Sequence, residues 1–249
     1  MPRPAAYIAN PLGFFAGNPK SPTPEGKEIL SKIVVPMVER AGFTAVEPFA
    51  KADAAFRSLA KIEGAAKVKE MMCEPGWTRG FIGNLNETLI NGCSAVLAIL
   101  EAGPCLLLDG DPKTRVIGKI PHKPFAREEL EVDLGTGVEV GIAGEIAKRR
   151  FMRVIGVRTT AKDAGEVGQP VNLQAVNSIR NSGGQVARNW ADAETLLRET
   201  AKSIESLLAR SDKKHPLELG PRPAKLSLEE QLGKKAARAV FRDVWGSLT

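Results

Sequence analysis

The chain has 249 residues and a mass of 26.7 kDa, enough for one sizeable α/β domain plus an appendage. Hydrophobic residues make up 43% and charged residues 26%, which excludes global disorder, and aromatics are only 5%, which argues against a nucleic-acid module built on stacking platforms. The formal net charge is +6, and the segment Arg210–Thr249, with nine Lys/Arg against five Asp/Glu, carries most of it. A weakly basic tail is a poor warrant for DNA or membrane binding.

Three cysteines (Cys73, Cys93, Cys105) and two histidines (His122, His215) show no C-x-x-C, no H-E-x-x-H and no pair at metal spacing. Neither a metal nor another cofactor is expected, and the sparse cysteines read as reduced thiols. The opening MPRPAAYIANP lacks an apolar signal region, and the longest clean apolar run, Ala95–Leu100, is far short of the roughly 20 residues that span a bilayer. The expectation is a cytoplasmic protein.

In chain order, Ala5–Ala9 (AAYIA) reads as a buried strand ended by Asn10-Pro11. Leu12–Pro22 reads as a loop, and Thr23-Pro24 as a helix start. That helix should carry Ile29, Ile33, Val34 and Met37 on one face, kink at Pro36 and end at Gly42. Phe43–Pro48 is a second short strand, Lys51–Met72 a helix, and Cys73–Gly80 (CEPGWTRG) a loop holding Trp77. Leu85, Leu89 and Cys93 recur at helical spacing on a short helix, which leaves Asn86 and Glu87 on its other side. Ala95–Leu100 (AVLAIL) is a central strand covered on both faces.

Glu101–Val132, with four prolines, is an irregular insertion. Asp133–Arg149 is a helix with acid first and base last, and Met152–Val157 (MRVIGV) another buried strand. Arg158–Pro170 is a loop, Asn172–Ile179 a short helix, Gln185–Ala187 an edge strand and Ala191–Leu208 an amphipathic helix. Beyond Ala209 comes a linker. The capping-box pattern Ser227-x-x-Glu230 should open one last helix carrying Leu228, Leu232, Ala236, Ala239, Val240 and Trp245. Alternating strands and helices imply an α/β fold: a doubly wound, mostly parallel, five-stranded sheet with helices on both faces, plus a C-terminal helical tail. The domain expected over 1–209 contains the insertion 103–132, and 210–249 is a basic linker and helix. Ligands of such sheets bind beyond the carboxyl ends of the strands, next to Asn10–Pro22, the insertion and Arg158–Pro170.

The stretch Asp133-Leu-Gly-Thr-Gly-Val-Glu139-Val-Gly141 places two carboxylates around a Gly-Thr-Gly turn. Its glycines would allow close backbone approach to a ligand, and Glu139, in the first two turns of a helix, would be held ionised by the helix dipole. A carboxylate so placed suits nucleophilic glycosyl transfer, with Asp133 as a partner acid. Pattern alone leaves open that Asp133 only caps the helix and that Glu139 is solvated. The spacing of Gly135, Gly137 and Gly141 misses a dinucleotide-binding fingerprint by one residue.

Four segments, YIANPLGF (Tyr7–Phe14), NLNETLINGCSAVLAIL (Asn84–Leu100), DLGTGVEVGIA (Asp133–Ala143) and PVNLQ (Pro170–Gln174), occur in an order that resembles the nucleoside 2-deoxyribosyltransferase family. The third resembles that family's D-x-G-T-x-x-E-x-G nucleophile motif. The resemblance spans roughly Pro4–Leu208 and leaves out the insertion and the tail. It implies that Glu139 attacks C1′ and holds the deoxyribosyl unit covalently. It also implies that Asp133 recognises the nucleobase and exchanges its proton, and that the Tyr7 hydroxyl holds the Glu139 carboxylate. Asn172 would bind the 5′-hydroxyl in a neighbouring subunit's site, so a homo-oligomer is implied. Gly135 belongs to the motif, and Phe14, Phe15 and Trp77 are candidates to sandwich the base.

The chain departs from the family at Asn86, where many members carry aspartate. An amide can hydrogen-bond sugar or base but cannot take up a proton as a carboxylate does. The expected partners are a 2′-deoxynucleoside and a free nucleobase, with neither nucleic acid nor membrane. The nearest rival is a nucleoside or nucleotide N-glycosidase that gives the same intermediate to water, with Thr159-Thr160 or Ser182-Gly183-Gly184 near a 5′-phosphate. More distant are a phosphoribohydrolase of the lysine-decarboxylase-like type and a non-catalytic nucleotide-binding module.

Overall fold

The structure is a computed structural model and describes residues 3–10, 30–100, 116–117, 120–121, 134–158, 173–210 and 223–245. Five strands form one sheet: β1 (Ala5–Ala9), β2 (Thr44–Val46), β3 (Ala95–Ile99), β4 (Arg153–Val157) and β5 (Val186–Ala187). Their order is β2-β1-β3-β4-β5, and every neighbouring pair is parallel. Continuous apolar sequence in β1 and β3, and in β4 after Arg153, is what a sheet buried on both faces requires. Within the expected insertion, Val116–Ile117 pairs antiparallel with Ile120–Pro121.

The helices are α1 (Val35–Arg40, preceded by a π-helical turn at Leu30–Val34), α2 (Pro48–Glu63), α3 (Ala65–Met72), α4 (Pro75–Gly92), α5 (Leu134–Ala147), α6 (Leu173–Asn181), α7 (Trp190–Arg210), α8 (Pro223–Leu232) and α9 (Lys234–Trp245). Strand pleating divides the interior in two. Ala6 and Ile8 of β1, with Leu97 of β3, pack against α1 and α7. Tyr7 and Ala9, with Val96 and Ala98, face the other way, into a core closed by α2, α4, α5, α6, α8 and α9. The chain therefore moves from β1 to β2 over one face and from β2 through β5 over the other. The reversal between β1 and β3 is the topological switch point, where open α/β sheets hold their ligands.

Several local expectations are corrected. Cys73–Gly80 is not a loop: α4 begins at Pro75, where a proline costs no helical hydrogen bond. Burial of Phe81 and the stacking of Trp77 on it outweigh the poor helix propensity of Gly76 and Gly80. Lys51–Met72 is two helices, interrupted at Gly64. Gly135–Gly137 lies in the first turn of α5, so the Gly-Thr-Gly segment is helix and not a turn. Ile33 is 39% exposed, while Leu30, Val34, Met37 and Val38 take the inward face.

The tail also differs from expectation. Ser227 lies inside α8 and does not open a helix. Gly233, at φ +76°, sits in the left-handed region that favours glycine and breaks the tail into two helices. Leu228, Ala236, Ala237, Val240 and Val244 join the core beneath α2 and α4, so these helices are docked on the domain. Lys51 Nζ of α2 donates to the Val244 carbonyl at 2.9 Å, satisfying an end-of-helix acceptor. Among the described residues, no helix is long and apolar enough to cross a membrane.

Candidate active site at the switch point

Glu139 sits on the inward side of α5. Thr136, Val140 and Ala143, its neighbours three back, one ahead and four ahead, are all at or below 1% exposure. That stripe is the one an amphipathic helix turns to its core, so a carboxylate there needs hydrogen-bond donors. Two reach it. The Tyr7 hydroxyl donates to Glu139 Oε1 at 2.6 Å, and Asn86 Nδ2 donates to the same oxygen at 3.0 Å. Three elements thus meet: β1 supplies Tyr7, α4 supplies Asn86 and α5 supplies Glu139.

Each donor is held by its own surroundings. Tyr7 is the third residue of β1, in register with Val46 and Val96, and is completely buried. Its phenol is pushed well above the ordinary tyrosine value, first by burial and then by the negative charge of Glu139. It therefore stays protonated, and remains a donor, at neutral pH. Asn86 rides on a helix pinned from several sides. Arg150 donates to the carbonyls of Asn91 and Cys93 at 2.7 and 2.9 Å, covering acceptors at the α4 C-terminus. From α8, Gln231 accepts from Asn84 Nδ2 at 2.9 Å and donates to the Trp77 carbonyl at 3.2 Å.

A carboxylate with two donors on Oε1 is held in position. Such a group is suited to attack an electrophilic carbon or to stabilise adjacent positive charge. Among the described residues, no three His, Cys, Asp or Glu side chains cluster as metal ligands would.

The structure thus brings Tyr7, Asn86 and Glu139 together. Gly135 is exposed on the first turn of α5. Trp77 is half-buried and stacks on Phe81 with ring centroids 5.2 Å apart and planes 7° apart. It lies nine residues before Asn86 on α4, so helical rotation turns the two to opposite sides. Asp133, Asn172, Phe14 and Phe15 lie outside the described residues.

Sequence reasoning placed Asn86 off the apolar stripe of its helix and missed its bond to Glu139. The available signal was a polar residue next to Leu85, whose own side chain is buried. The Gln231 bridge carried no signal in the sequence. Searches against protein-family models and against curated proteins return no match for this chain.

Proposed function

We propose that the protein transfers a 2-deoxyribosyl group between nucleobases by a retaining double displacement. The carrying observation is the 2.6 Å bond from Tyr7 to Glu139, at a carboxylate that two donors hold on a core-facing helix stripe. In the first step a Glu139 carboxylate oxygen bonds to C1′ of a 2′-deoxynucleoside. The C1′–N bond breaks, and its electron pair leaves with the base, which takes a proton from Asp133. In the second step a ring nitrogen of another base attacks C1′, yields its proton to Asp133 and releases the carboxylate. Both steps pass through an oxocarbenium-like transition state, which an anion at C1′ stabilises. Tyr7 orients the nucleophile. The homo-oligomer, with Asn172 completing a neighbour's site, belongs to the same reading.

The test incubates the protein with deoxyinosine and adenine, and with deoxyinosine alone, then repeats both with pyrimidines and with 5′-monophosphates. Formation of the exchanged nucleoside supports transfer. Free base without acceptor shifts the reading to the N-glycosidase. No turnover with any substrate rejects both. Mass spectrometry of protein quenched during turnover should show Glu139 carrying one deoxyribosyl unit, and no such adduct in Glu139→Ala.

A further inference from the structure

The Asn86 amide is used at only one end. Its nitrogen donates to Glu139, while Oδ1 is closed off from solvent and has no hydrogen-bond partner among the described residues. Turning the amide over would set its carbonyl against a carboxylate oxygen that already accepts from Tyr7, so two acceptors would meet. The orientation is therefore fixed. A buried acceptor without a donor has given up its hydration with nothing in return. Asn86 as a whole is half-buried, so part of the residue remains accessible. A donor belonging to the ligand would cancel the penalty.

Stereochemistry limits what that donor can be. Oδ1 and the nitrogen bound to Glu139 belong to one amide, so Oδ1 lies within about two hydrogen-bond lengths of the Glu139 oxygen. An attacked carbon lies about 3–3.5 Å from its nucleophile. In a β-nucleoside the base stands on one face of the pentose, and the hydroxyls on C2′ and C3′ stand on the other. Displacement in line with the departing base comes from the hydroxyl face. The neighbour of the nucleophile thus meets ring hydroxyls, with the base across the ring. We propose that Asn86 Oδ1 accepts a hydrogen bond from a pentose hydroxyl on the face that Glu139 attacks, and so selects the sugar. This rests on reading Glu139 as the nucleophile.

The test is calorimetric binding of C-nucleosides, whose glycosidic carbon–carbon bond is not cleaved. One series carries both ring hydroxyls, lacks the 2′, lacks the 3′, or lacks both. Wild type is compared with Asn86→Ala, with circular dichroism as the folding control and Asn86→Leu as a second variant. Loss of the recognised hydroxyl should weaken wild-type binding about tenfold and leave binding to both variants unchanged. Sensitivity at the 2′ position marks a site that takes ribosides, and sensitivity at the 3′ position one that takes both pentoses. Equal wild-type affinity across the series, or the same penalty in the variants, overturns the proposal and leaves the nucleophile reading standing. Absence of binding by every ligand overturns both.

Discussion

Tyr7 and Glu139 are 132 positions apart in the chain, yet the Tyr7 hydroxyl lies 2.6 Å from Glu139 Oε1. The tyrosine is wholly buried in β1 and the glutamate faces it from the second turn of α5. A phenol held protonated by burial and by that same negative charge is a donor that does not switch off near neutral pH.

We predict that Tyr7→Phe removes a charge-assisted hydrogen bond while keeping the ring that fills the core. Such bonds contribute about 1.5–3 kcal/mol, so kcat should fall about 10- to 100-fold. KM should change little, because in the proposed mechanism Tyr7 orients the carboxylate and does not hold the sugar. Steady-state exchange kinetics check this, and a variant as fast as wild type removes the role assigned to Tyr7.

Asn86→Asp should shift the pH dependence of exchange. The substitution sets a second carboxylate where an amide now donates at 3.0 Å. Two carboxylates so close hold one proton between them, which raises the upper apparent pKa of the pair. The proposed nucleophile must be ionised to attack, so the acid limb of the kcat profile should move to higher pH and activity near neutrality should drop. An unmoved acid limb would show that the two side chains do not sense each other.

Glu47 caps α2, accepting from the Phe49 and Ala50 backbone N–H groups at 2.9 and 2.7 Å. Burial nevertheless holds its carboxyl above the usual glutamate range, against the lowering effect of those two bonds. A raised folded-state pKa means that the folded chain binds this proton more tightly than the unfolded chain does. The stability it contributes is complete below the unfolded glutamate value and is lost as pH rises through the folded value. Glu47→Gln lacks this titration, so wild type should lose ground to the variant as pH is raised across that window. Urea unfolding midpoints measured at intervals from acid to neutral pH decide it, and parallel profiles for the two proteins contradict the assignment.

A methyl group at Gly92 would overlap the edge of the Trp245 ring, which packs across the end of α4. Gly92→Ala should therefore push α9 away from the domain and cost about 1–3 kcal/mol, as overpacking does. The emission of Trp245 should move to longer wavelength. Gly83→Ala, in the same helix, meets nothing within 4 Å and should stabilise by about 0.5–1 kcal/mol. If both variants unfold at the same temperature as wild type, the contact between tail and domain is not a tight one.

The strands were the most readable part of the chain, because AAYIA, AVLAIL and, Arg153 apart, MRVIGV are apolar on both alternating faces. The start of α4 was not, since Pro75, Gly76 and Gly80 signal a loop locally and only the packing of Trp77 and Phe81 reverses that signal. Gly233 was equally silent: nothing around it announces that the tail breaks there and folds back on α2 and α4.

At the site, residue type and spacing singled out Glu139, a four-segment resemblance attached Tyr7 to it, and Asn86 was expected to meet sugar or base instead. Periodicity tells which side of an element is buried, because that depends on each residue and its near neighbours. It does not tell which distant polar group will face a buried carboxylate, since that partnership exists only after β1, α4 and α5 have docked. The sequence by itself therefore determined a parallel α/β sheet and a glycine-flanked acid on a helix. The tertiary structure alone decided that Asn86 turns its nitrogen to that acid and leaves its oxygen without a donor among the described residues. Hydrogen bonds are short-ranged and directional, and they are settled by where the elements come to rest.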